Sequence, residues 1–79
     1  MIIQELELLI KTYVGMILRF KDSPTKEKFE KKIGEIDRKI NARKLGKPVE
    51  IDCQKEKEEL ITLYRTLIEE NRNESEREQ

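Results

Sequence analysis

Histidine and tryptophan are absent from the 79 residues, and cysteine and alanine occur once each, as Cys53 and Ala42. Each scarcity removes a class of explanation. Without His, the common zinc sets of thiolate and imidazole cannot be assembled, and Cys53 has no imidazole to activate it as a nucleophile. A lone cysteine makes no internal disulfide, which fits a reducing, cytoplasmic setting. With two Phe (Phe20, Phe29) and two Tyr (Tyr13, Tyr64) as the only aromatics, burial must come from Ile and Leu, and an aliphatic, thin core is expected. Gly15, Gly34 and Gly46 are isolated, so no glycine-rich phosphate cradle exists. Gly46-Lys47 is followed by Pro48 where a P-loop carries Ser or Thr.

Long apolar runs are also missing. The N-terminal stretch MIIQELELLIKTYVGMILRF is interrupted by Glu5, Glu7, Lys11 and Arg19, too often for a bilayer span of about 20 residues. It also lacks the basic start and small-residue cleavage site of a signal peptide. Neither a membrane, a metal, a cofactor nor a small-molecule substrate is expected.

What the chain does have is charge, 43% of its residues, balanced at 17 basic and 17 acidic. The whole-molecule field therefore favours no partner of either sign. The distribution is uneven: residues 23–47 carry a net charge of +5 and residues 48–79 a net charge of −5.

Apolar residues at Ile3, Leu6, Ile10, Tyr13, Ile17 and Phe20 alternate by three and four, which predicts a helix over about 2–20. As heptads, Ile3, Ile10 and Ile17 take position a and Leu6, Tyr13 and Phe20 position d, while Ile2, Leu9 and Met16 fill position g. The apolar arc then spans roughly 160°, where an ordinary amphipathic helix needs about 100°. Leu8 and Leu18 lie outside even that arc. This surplus marks Ile2, Leu8, Leu9, Met16 and Leu18 as a candidate protein interface, and Ile at a with Leu at the first d position suits a coiled-coil seam with another chain.

Ser23-Pro24 supplies a capping side chain and a first-turn proline, predicting a second helix over 24–45. Its apolar stripe, Phe29, Ile33, Ile36 and Ile40, is one residue wide; Lys32 and Lys39 flank it on one side, Glu30 and Asp37 on the other. Leu45-Gly46-Lys47-Pro48 ends it. An extended linker, 46–52, should tuck Val49 and Ile51 against the core. Asp52 then caps a third helix over 53–72 carrying Leu60, Ile61, Leu63, Tyr64, Leu67 and Ile68. Its first turns, Gln54 to Glu59, are almost wholly charged and are expected to project beyond the core. Residues 73–79 contain nothing apolar and are expected to form a disordered acidic tail. The predicted fold is an all-α three-helix bundle, a single helical domain over 1–72, with helices two and three as a hairpin packed on helix one.

Catalytic constellations are poor. Glu58-Glu59 and Glu69-Glu70 are adjacent in sequence, so on a helix they diverge rather than form a dyad, and Cys53 reads as a small apolar residue at a helix start. Gly15 falls on the polar side of helix one, a tolerated weak point. One feature points toward nucleic acid: Lys28, Lys31, Lys32, Arg38, Lys39 and Arg43 cover about half of helix two and could meet phosphates. Glu35 interrupts that ridge, no aromatic is interleaved for stacking, and the acidic third helix offers an internal partner. The expected function is therefore a non-enzymatic protein-interaction module, a dimerising adaptor, subunit or inhibitor whose partner is its own copy or a larger protein. Nucleic-acid binding along helix two is the alternative.

Overall fold

A computed structural model describes the backbone of residues 2–78 and the side chains of residues 2–72. Three helices, α1 (Ile3–Ile17), α2 (Pro24–Lys44) and α3 (Cys53–Glu78), account for its regular structure, with no strand among the described residues. This is the all-α bundle read from the periodicity. The tail expected at 73–79 lies outside the fully described residues.

The termini follow from local chemistry. Ser23 Oγ accepts from the Lys26 amide at 3.1 Å, capping α2 with Pro24 in its first turn. Asp52 Oδ1 does the same for α3, accepting from the Lys55 amide at 3.1 Å. At the end of α2 the Lys47 amide donates to the Ala42 carbonyl and the Gly46 amide to the Arg43 carbonyl. That paired arrangement needs a left-handed residue just past the helix, supplied by Gly46 at φ 84°.

Helix α1 stops at Ile17, three residues before the predicted end. The Arg19 amide donates to the Met16 carbonyl and the Phe20 amide to the Ile17 carbonyl, so the chain tightens into three-residue turns. Phe20 prolongs the apolar rhythm without being helical, and its ring turns inward to Tyr64, centroid to centroid 6.0 Å. Lys26, almost fully buried, secures this corner by donating to the Phe20 carbonyl at 3.0 Å and to Asp22 at 3.2 Å.

The core takes Leu6, Ile10, Tyr13 and Ile17 from α1, the whole stripe Phe29, Ile33, Ile36 and Ile40 from α2, and Leu60 and Leu67 from α3. Each buried aliphatic side chain contributes about 1.5–3 kcal/mol before entropy is counted. In the linker Ile51 packs against this core. Contact is most extensive between α2 and α3, smaller between α1 and α2, and least between α1 and α3.

The first turns of α3 do not project. Glu56 is only 5% exposed, and Lys32 of α2 reaches it, with Nζ 3.2 Å from one carboxylate oxygen, while also pairing with Glu59. The charged run is held against α2 by the opposite charge on the α2 flank, which is why it packs rather than solvates.

Candidate interaction surface

Seven large hydrophobic side chains are exposed among the described residues, and five of them, Ile2, Leu8, Val14, Met16 and Leu18, belong to α1 or its two caps. The surplus read from the first helix is therefore not absorbed by α2 and α3. Its members do not form one patch. Leu9 is half-buried and packs on the core, and Met16 lines a shallow recess with Phe20 and Tyr64 on the α3 side. Leu18, 74% exposed, lies on the α2 side, while Leu8, 67% exposed, lies close to the back of the helix, and Ile2 stands at the N-cap. Val14 was missed because position e fell outside the a/d/g face; the direction from which α2 approaches makes that position a groove wall.

The groove runs between α1 and α2 on the side away from α3. It consists of two adjoining recesses that share Val14, Glu30 and Ile33. One recess continues to Ile17 and Leu18; the other continues to Ile10, Lys11, Gly34 and Asp37. A Cβ on Gly34 would meet nothing within 4 Å, so the glycine leaves a gap in that wall.

The rim is acidic on α2 and basic on α1, and both signs are weakly engaged. Glu30 makes no ion pair or hydrogen bond among the described residues, and Asp37 accepts only a 3.4 Å bond from Asn41. Lys11 stands 3.9 Å from Glu7 in an exposed pair. Glu7 has a stronger partner in Lys44, at 2.8 Å, whose hydrogen bond holds its carboxyl below the usual range.

The basic ridge of α2 is divided. Lys32 and Lys39 face α3, Lys32 pairing with Glu56 and Glu59 and Lys39 lying 4.0 Å from Glu56. The hydrogen bond to Glu59 is the main cause of a raised Lys32 pKa, and the same bond lowers that of Glu59. Lys28, Lys31, Arg38 and Arg43 remain exposed, without ion pairs among the described residues.

Other chemistry is sparse. Among the described residues no group of three His, Cys, Asp or Glu side chains is placed to hold a metal ion. Cys53 is half-buried and packs on the core. Among the described residues no helix is long and apolar enough to cross a membrane. No protein-family model, curated protein or solved structure matches the chain.

Proposed function

We propose that the chain is a non-enzymatic protein-interaction module, an adaptor, subunit or inhibitor, that docks through the apolar surface of α1. The observation that carries this reading is the concentration of exposed hydrophobics on one helix, five of seven, in a chain with 43% charged residues. Scattered single hydrophobics need no explanation, but two of the five, Val14 and Leu18, wall one groove whose rim is charged, and an apolar groove with a polar rim is the anatomy of a docking site. The test is photo-crosslinking in the native host from a reactive amino acid placed at Val14 or Leu18, with Lys28 and Arg38 as controls. Protein adducts specific to the α1 positions are expected. Labelling no greater than at the controls would overturn the reading.

Nucleic-acid binding along α2 is the weaker alternative. Four exposed cations remain to it, enough for a duplex-DNA salt slope no steeper than about −3.6. Failure to shift DNA or RNA at low salt removes it.

A further inference from the structure

We draw no further inference here: the strongest candidate, the open recess at the end of the bundle lined by Ile3, Ile40, Ile51 and the exposed Arg43, carries nothing, because Lys28, Lys31 and Arg38 are cations as exposed and as free of ion pairs among the described residues as Arg43, and nothing in the structure shows what covers the recess.

Discussion

Lys32 is placed where α2 and α3 meet, with one carboxylate buried beside it and another at the edge. Lys32 donates to Glu56 Oε1 at 3.4 Å, while Oε2, 3.2 Å from the same ammonium, is buried without a hydrogen bond. Lys32→Met would leave that carboxylate buried without its main counter-charge. Breaking a fully buried pair costs about 3–5 kcal/mol; with Lys32 about one-fifth exposed, solvent reduces the expected loss to about 2–3 kcal/mol. Lys32→Met with Glu56→Leu should recover most of it, as read by urea unfolding. The pH profile has two limbs. Glu59 and Glu7 have pKa values lowered from 4.5 in the folded chain, so their contribution is present above that value and is lost as pH falls through the lowered folded values. Lys32 has its pKa raised from 10.5, so its contribution is complete below 10.5 and is lost as pH rises through the raised one. In Lys32→Met the Lys32 alkaline contribution should vanish and the acid limb should shrink by the larger part of what Glu59 supplies, leaving that of Glu7 in place, measured as the urea midpoint against pH. The flank charges of α2 and the acidic character of α3 were legible in the sequence. The burial of Glu56 was not, because a charged run reads as solvated and the distance between two helices is written in neither one alone.

Each helix distributes its faces differently. The stripe of α2 is narrow and entirely buried, and substitution there should be costly: Ile36→Ala, at a fully buried site, is expected to lose about 3–4 kcal/mol. The outer faces tolerate change. Leu8→Gln should leave unfolding free energy within about 0.5 kcal/mol. Gly15→Ala and Gly34→Ala, which add a Cβ into open space, should each raise it by up to about 1 kcal/mol when measured at dilution. In α1 the buried a and d residues Leu6, Ile10, Tyr13 and Ile17 were correctly marked by spacing. The outer limits of its exposed surface were not, since Leu9 at g is half-covered while Val14 at e is open. Periodicity finds the centre of an apolar face; which flank a neighbour covers depends on how that neighbour crosses it. Both ends of α2 and the start of α3 were legible because Ser23, Asp52 and Gly46 act on backbone groups within a few residues of themselves; the end of α1, which has no such residue, was not.

At the scale of the molecule, α2 and α3 form the better-joined pair and α1 is docked upon it, touching α3 least. Thr25 Oγ1 donates to Glu70 at 2.6 Å, fastening the start of α2 to the later turns of α3. Opening of the bundle should therefore begin with α1, and native-state hydrogen exchange should find the amides around Ile36, Ile40 and Leu60 slowest and those of α1 faster. Uniform protection across the three helices would contradict this order. All four aromatic rings, Tyr13, Phe20, Phe29 and Tyr64, meet where α1 turns toward α2. Because the chain has no tryptophan, its near-ultraviolet emission arises from two phenols only, one on α1 and one on α3, whose ring centres lie 5.0 Å apart. The protein thus carries its own optical reporter: any departure of the first helix separates those phenols and exposes them to water, visible without a label.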